Sequence, residues 1–108
     1  MFGNNMGNMQ GMMKKMQKMQ ADMQKMQDEV KAREFEATVG GGVVKVVSDG
    51  NKELLTVKID PEALNGDDAE MLEDMIIAAV NETRRKVDEE FEKEMGKITG
   101  GMKLPGMF

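Results

Sequence analysis

The chain has 108 residues and a net charge of −5, and it contains 14 methionines but no cysteine or histidine. Because a chain this short buries only about two-thirds of its unfolded surface, one small domain is expected, and an oligomer interface would help to stabilise it. Without thiols and imidazoles the chain lacks disulfides and the usual catalytic bases and nucleophiles. This favours a non-enzymatic protein of the cytoplasm. No signal peptide and no apolar stretch of about 20 residues occur, so no membrane segment is expected.

Charge is distributed unevenly along the chain. Residues 1–33 hold six basic and three acidic side chains, whereas residues 34–108 hold nine basic and 17 acidic ones. The first third is therefore positive and the remainder negative. This distribution indicates more about possible partners than the net charge does.

The first predicted element is a long amphipathic helix from about Gly11 to Arg33. It follows residues 1–8, a Gly- and Asn-containing start for which no ordered structure is expected. Apolar residues then recur at alternating spacings of three and four, as in a heptad seam. The seam consists of Met9, Met12, Met16, Met19, Met23, Met26 and Val30. A stripe this narrow favours a contact between helices over burial in a broad core.

Three strands are predicted next, because the apolar period changes from about 3.6 residues to two. They cover residues 35–39, 43–47 and 55–59. The run Gly40 to Gly42 allows the first chain reversal. The segment Asp49-Gly50-Asn51 predicts a hairpin turn in which glycine and asparagine tolerate a positive φ. The result is an antiparallel meander with one apolar face.

A second long helix is predicted after the turn that begins at Asp60-Pro61. Asp67 and Glu70 are spaced as in a capping box, and the following apolar residues recur every three or four positions. The helix is expected to run to about Met95 and to stop at Gly96. Residues 97–108 are expected to form a flexible tail, which leaves residues 9–96 as a single domain.

The predicted fold is therefore α+β, in the order α-β-β-β-α, with a three-stranded antiparallel sheet and a long N-terminal helix. The second helix can cover the apolar face of the sheet, which leaves the methionine seam and the sheet edges without a partner. A second copy of the chain would cover both. We therefore expect a homodimer whose seam is formed by Met12, Met16, Met19, Met23 and Met26.

No catalytic or metal site is expected. The acidic clusters lie at helix starts or on polar helix faces, where capping and solvation explain them. The glycine run at 40–42 precedes a strand and lacks the Lys-Ser/Thr pair of a phosphate-binding loop. Methionine thioethers can bind Cu(I), but a methionine stripe at heptad spacing is far more often a packing surface.

Two groups of basic residues are candidates for binding the phosphates of duplex DNA. The first lies off the methionine seam on the first helix and comprises Lys14, Lys15, Lys18 and Lys25. The second lies on the second helix and comprises Arg84, Arg85 and Lys86. The alternative is that these residues only keep the helix surfaces soluble. The absence of Trp and Tyr counts against single-stranded nucleic acid, which proteins bind by stacking bases on aromatic rings.

Three segments occur in a characteristic order: GGGVVKVVSDG at 40–50, IDPEAL at 59–64 and LEDMIIAAVNETRRKV at 72–87. Together with the Met- and Gln-rich helix before them, they resemble the YbaB/EbfC family of bacterial nucleoid-associated proteins over about residues 9–96. The resemblance implies the α-β-β-β-α fold, a tight homodimer with protruding helices, and DNA binding linked to nucleoid organisation, without enzyme activity or a cofactor. It places Arg84, Arg85 and Lys86 at basic positions of the family. The lysines of the first helix match by location only.

The leading interpretation is a homodimer that binds duplex DNA in the nucleoid with broad sequence preference and contributes to gene regulation. No small-molecule substrate and no membrane partner are expected. The main alternative is a protein-interaction adaptor that holds a partner's helix in a methionine-lined groove. Salt distinguishes the two, because DNA binding weakens steeply with salt whereas an apolar contact barely responds.

Overall fold

The computed structural model describes the backbone of residues 2–65 and 68–100, and the side-chain surroundings of residues 8–64 and 68–100. The elements are α1 (Phe2–Ala32), β1 (Glu34–Val39), β2 (Val44–Asp49), β3 (Leu54–Ile59), a short 3-10 helix (Pro61–Asn65) and α2 (Ala69–Ile98). The strands form one antiparallel sheet in the order β1-β2-β3. The predicted α+β fold is confirmed.

The core lies between the sheet and α2. Along β2, Val44, Val46 and Ser48 are fully buried, and they alternate with half-buried residues on the opposite face, as expected for a central strand. The side chains of Ala79 and Val87 on α2 are also buried. Helix α2 packs against β1 and β2, so the prediction that the second helix covers the sheet is confirmed for these two strands.

The third strand is left largely uncovered. Leu54, Leu55 and Val57 are 44%, 47% and 45% exposed. A register shift contributes, because Val47 pairs with Thr56 while its neighbour Ser48 pairs with Leu54. Leu55 is thus an extra residue, and such a bulge bends and twists an edge strand. The surface formed by Leu54, Leu55 and Val57 is called the β3 surface below.

Helix α1 differs in two ways from the helix that the sequence predicts. It begins at Phe2, so residues 2–8 are helical where an unstructured start is expected. Its C-terminal half packs against α2, which buries Met26 and Val30 to 5% and 0% exposure within their own chain. Met19 shares a shallow pocket with Ile98, the last residue of α2. Lys15 also lines this pocket, so the part of α1 that precedes Lys15 projects beyond α2 and gives the chain its elongated shape of 79 × 22 × 16 Å.

The two chain reversals of the sheet use glycine differently. Gly40, Gly41 and Gly42 all have positive φ values, of 65°, 69° and 103°, so the glycine turn after β1 is confirmed. In the β2–β3 turn the positive φ falls on Lys52, at 66°, and the prediction that Gly50 and Asn51 carry it is wrong. Gly50 is needed for another reason, because the end of α1 passes directly over it.

The ends of α2 also differ from the sequence prediction. Its N-cap is Asp68, whose side chain accepts a hydrogen bond of 2.9 Å from the backbone N–H of Met71; the predicted cap, Asp67, lies outside the described residues. The helix continues through Gly96 to Ile98, so the predicted stop at Gly96 is wrong. A glycine inside a helix costs only about 1 kcal/mol, which the packing of the last turn against α1 can offset. Residues 101–108 of the predicted tail lie outside the described part of the chain.

Within the described residues, no helix has the combination of length and apolar character that crossing a bilayer requires.

Candidate nucleic-acid interface

The basic residues of α1 form a row along one side of the helix. At 3.6 residues per turn, Lys14, Lys18 and Lys25 lie within about 40° of one another around the helix axis, and all three are exposed. The exposed methionines of α1 lie on roughly the opposite side. Lys14, Lys18 and Lys25 are called the lysine row below.

The positive charge of the row is strongest toward the projecting end of α1. No acidic residue precedes Asp22 in the sequence. Among the described residues, no ion pair involves Lys14, Lys15 or Lys18. Lys25 lines a shallow groove together with Asp28 and Glu29, and Lys15 and Lys18 line a pocket with Asp22. Lys14 is therefore the member of the row that lies farthest from a carboxylate on its own helix.

The second basic group is only partly available to a ligand. Arg85 donates hydrogen bonds to the carboxylates of Glu82 and Glu89, one turn away on either side of it. The hydrogen bond from Arg85 lowers the pKa of Glu82, and the hydrogen bond to Glu82 raises the pKa of Arg85. The charge of this arginine is therefore already compensated within the helix.

Arg84 and Lys86 have different surroundings. The Nζ atom of Lys86 donates a hydrogen bond of 2.6 Å to the backbone carbonyl of Glu36 in β1, so this lysine links α2 to the edge of the sheet. Arg84 is exposed, and within the described residues it takes part in no ion pair. Of the three residues in this cluster, Arg84 is the one whose charge is not shared with an acceptor in the part of the chain that the structure describes.

The two basic groups do not form one continuous patch in a single chain. Lys15 and Lys18 line a pocket with Ile98, whereas Arg84 lies 14 residues earlier on α2. At 1.5 Å per residue this separation is about 20 Å, which is less than one turn of duplex DNA, about 34 Å. The groups are therefore separate positive regions, at a spacing that one duplex would span.

Several ion pairs that the sequence does not predict lower the effective negative charge of α2. Arg33 lies 2.7 Å from Glu90 and 3.9 Å from Glu94, and Lys52 lies 2.7 Å from Asp88. The hydrogen bond from Lys97 further lowers the pKa of Glu94. The pairs made by Arg33 and Lys52 join residues far apart in sequence, so no local pattern could have revealed them.

The methionines of the predicted dimer seam have unequal surroundings. Met26 is buried within its own chain, and Met19 and Met23 are half-buried. Met12 and Met16 are 64% and 61% exposed. Two further methionines share this exposure: Met9 is 62% and Met13 is 58% exposed, although Met13 does not follow the heptad spacing. The group Met9, Met12, Met13 and Met16 is called the methionine tip below.

The described residues contain no group of three or more His, Cys, Asp or Glu side chains placed to hold a metal ion. The charged side chains at the surface pair with one another or face solvent. The candidate interface is therefore electrostatic and consists of the lysine row, Lys15 and Arg84.

Comparisons with known proteins identify the family and the fold. The YbaB/EbfC DNA-binding family matches residues 6–102 of the chain. A nucleoid-associated protein of Desulforamulus reducens is 55% identical, with 94% of this chain and 97% of that protein covered, and one of Pelotomaculum thermopropionicum is 52% identical with the same coverage. The crystal structure of an uncharacterized protein from Helicobacter pylori has the same fold, with a TM-score of 0.67, 24% identity, and coverage of 79% of this chain and 89% of that one.

Proposed function

Because the chain belongs to the YbaB/EbfC DNA-binding family, we propose that it is a nucleoid-associated protein that binds duplex DNA as a homodimer, mainly through the phosphates. The observation that carries this proposal is the exposed lysine row of α1, whose first member, Lys14, lies on the projecting end of the helix. It offers three exposed positive charges on one side of a helix. The proposal places the protein on the nucleoid in the cytoplasm, where it would contribute to DNA organisation and gene regulation.

The chemistry of the exposed groups supports broad sequence preference. Lysine ammonium groups neutralise phosphates, which position a protein on DNA without reading its sequence. Bidentate recognition of guanine usually requires an arginine in the major groove. Arg85 is engaged by two carboxylates, which leaves Arg84 as the arginine of the cluster that takes part in no ion pair with a described residue. One such side chain per subunit can add a mild preference but cannot specify a long site.

The proposed homodimer rests on the uncovered β3 surface. Leu54, Leu55 and Val57 are each nearly half exposed along an edge strand, which is both an apolar patch and a template for pairing with another chain. A second copy of the chain would cover this surface and would also duplicate each basic group. The contribution of the methionine seam to the same dimer stays a prediction.

DNA binding is tested by comparing two double variants with equal charge change. Lys14→Gln with Lys18→Gln removes two charges from α1, and Lys45→Gln with Lys58→Gln removes two from the cross-strand lysine pair of β2 and β3. Binding to a labelled duplex is measured by fluorescence anisotropy at several salt concentrations. We expect the α1 variant to bind at least tenfold more weakly, and its salt slope to fall by about 0.9 for each phosphate that the variant no longer neutralises.

Comparing the two variants also distinguishes the position of the lysines from the net charge of the protein as the cause of DNA binding. If both variants lose the same affinity, DNA binding follows the overall charge of the protein, and the lysine row has no special role. If neither variant changes binding, the lysines are only solubilising. Repeating the titration with random and defined duplexes tests the breadth of sequence preference.

The dimer is tested by sedimentation equilibrium at low micromolar concentration. We expect twice the chain mass for the native protein and a large shift toward monomer for Leu55→Gln with Val57→Thr, because both side chains are exposed in the single chain and their replacement should spare its core. A native protein that sediments as a folded monomer would contradict the proposal.

A further inference from the structure

The methionine tip is an apolar surface that nothing within the described part of its own chain covers. Its four side chains are 58–64% exposed, and α2 ends at Ile98, beside Met19. Gln10 and Gln17 are also exposed there. An exposed apolar stripe on a projecting helix is typical of a contact with another helix.

The spacing of the four methionines of the tip is the same when it is read from either end of the helix. Met9, Met12, Met13 and Met16 are separated by three, one and three residues. Two such helices packed antiparallel, with the centre between Met12 and Met13, would place Met9 of one against Met16 of the other and Met12 against Met13. A surface that matches itself under a two-fold rotation is what a symmetric contact between identical chains requires.

We propose that the methionine tip binds the methionine tip of another copy of this chain in an antiparallel helix pair, and that this contact joins two DNA-bound dimers. The proposal rests on the proposed DNA-binding function. The antiparallel arrangement also keeps like charges apart, since Lys15 of one helix then lies opposite Gln10 of the other. The lysine row, on the side away from the methionines, stays exposed to DNA.

The size of the tip indicates a weak contact. Each side chain can bury on the order of 100 Å² of apolar surface, so two tips together would bury roughly 800 Å². Stable interfaces between proteins bury about 1,200–2,000 Å². Tips in free solution should therefore associate poorly, whereas dimers bound to DNA are held at a high local concentration that favours a second, weak contact. Neutralisation of the lysine row by phosphates would further reduce repulsion between tips.

The consequence is that the protein can bridge two duplexes. Each dimer would hold one duplex through its lysines and contact another dimer through a tip. Bridging and binding to a single duplex would depend on opposite sides of the same helix, and this makes them separable by mutation.

The first experiment measures bridging directly. A duplex immobilised on beads captures a labelled duplex only when the protein joins the two, and binding to a single duplex is measured in parallel by anisotropy. We expect Met12→Gln with Met13→Gln to reduce capture at least tenfold while the single-duplex Kd stays within twofold. Met12→Leu with Met13→Leu is the matched control, because Gln, Leu and Met have similar helix propensities and leucine keeps the surface apolar. This control should retain capture.

The second experiment tests the geometry of the pair. The native chain contains no cysteine, so introduced thiols report only the intended contact. A mixture of the Met9→Cys and Met16→Cys variants, bound to DNA and mildly oxidised, should form a disulfide between the two variants. Each variant alone should not, because an antiparallel pair separates the two copies of Met9 by about 10 Å along the axis, beyond the reach of a disulfide.

The possible results distinguish this inference from the proposed function. Single-duplex binding without capture, or a disulfide formed by the Met9→Cys variant with itself, would overturn the antiparallel tip contact while leaving DNA binding intact. Loss of single-duplex binding in the glutamine variant would show that the tip grips DNA. Conversion of the glutamine variant to a monomer without DNA would show that the tip belongs to the primary dimer. Either of these results would also overturn the inference.

Discussion

Replacing Gly50 with alanine should separate α1 from the sheet. The backbone N–H of Gly50 donates a hydrogen bond of 3.1 Å to the carbonyl oxygen of Lys31. A Cβ atom at position 50 would lie 2.0 Å from the carbonyl oxygen of Val30 and 2.6 Å from the Cα atom of Lys31. Both are backbone atoms of the last turn of α1, so a side-chain rotation cannot relieve the clash. The end of α1 must move away from the β2–β3 turn.

The expected loss of stability follows from two effects. The hydrogen bond to Lys31 is worth about 1 kcal/mol, and overpacking a tight contact costs typically about 1–3 kcal/mol. We therefore expect Gly50→Ala to lower the free energy of unfolding by about 2–4 kcal/mol. For a domain of this size, that corresponds to a fall in Tm of roughly 10–20 °C. Val30, which is fully buried, should become more exposed.

Gly96→Ala is the matched control, since it makes the same chemical change in the interior of α2. A Cβ atom at position 96 would have no atom outside the helix backbone within 4 Å among the described residues, and alanine favours a helix over glycine by about 1 kcal/mol. This variant should be slightly more stable than the native protein in guanidinium unfolding at a fixed protein concentration. Equal stability of Gly50→Ala and the native protein would refute the close approach of α1 to the hairpin.

Three further predictions concern charge and burial. Arg84→Gln should weaken binding to duplex DNA more than Arg85→Gln does, because Arg85 is already held by carboxylates; anisotropy at low salt checks this, and the reverse order would contradict it. Ser48→Ala should leave stability unchanged or raise it by about 1 kcal/mol in chemical unfolding, since the buried Ser48 hydroxyl has no hydrogen-bond partner within the described residues. Hydrogen bonds from Arg85 and Lys97 lower the pKa values of Glu82 and Glu94. These two carboxylates therefore stabilise the folded protein above the unfolded pKa of 4.5, and this contribution is lost as the pH falls through the lower folded pKa values. Free energies of unfolding measured between about pH 6 and pH 3 check this, and the double variant Glu82→Gln with Glu94→Gln should depend less on pH than the native protein does.

The sequence predicts the fold well because its signals are local. The methionine seam, the alternation in each strand and the apolar period of α2 each depend on neighbouring residues. The strand bounds are accordingly within about two residues of those in the structure. The glycine turn at 40–42 is likewise predictable, because three consecutive glycines with positive φ serve a conformation that other residues rarely adopt.

The sequence predictions are wrong where contacts between distant parts of the chain determine the local structure. Gly50 looks like a turn glycine in the sequence, but it is needed because α1 crosses it, and the positive φ falls on Lys52 instead. A glycine at position 96 is typical of a helix end, yet α2 continues to Ile98, where the end of the helix meets α1. The exposure of β3 depends on where α2 crosses the sheet, which no local pattern contains.

In the candidate interface, too, some features can be predicted from local sequence and others depend on tertiary contacts. Composition and helical spacing are sufficient to find both basic groups, because charged residues that line up on a helix can be read from the sequence. Whether a given charge is available depends on its partners in space. Arg85 and Lys86 are engaged by protein acceptors, and Arg33 is paired across the two helices. The sequence therefore identifies the candidates, whereas the structure ranks them.

A net charge of −5 is compatible with binding a polyanion because the charges are separated in space. Along α1, Asp22 is eight residues from Lys14, which is about 12 Å. At about 0.1 M salt the screening length is about 10 Å, so the acidic residues farther along the chain have little effect on the potential at Lys14. The acidic side chains of α2 are also partly neutralised by Arg33 and Lys52. A phosphate that approaches Lys14 therefore meets a locally positive surface, and the acidic remainder of the protein disfavours only contacts made elsewhere.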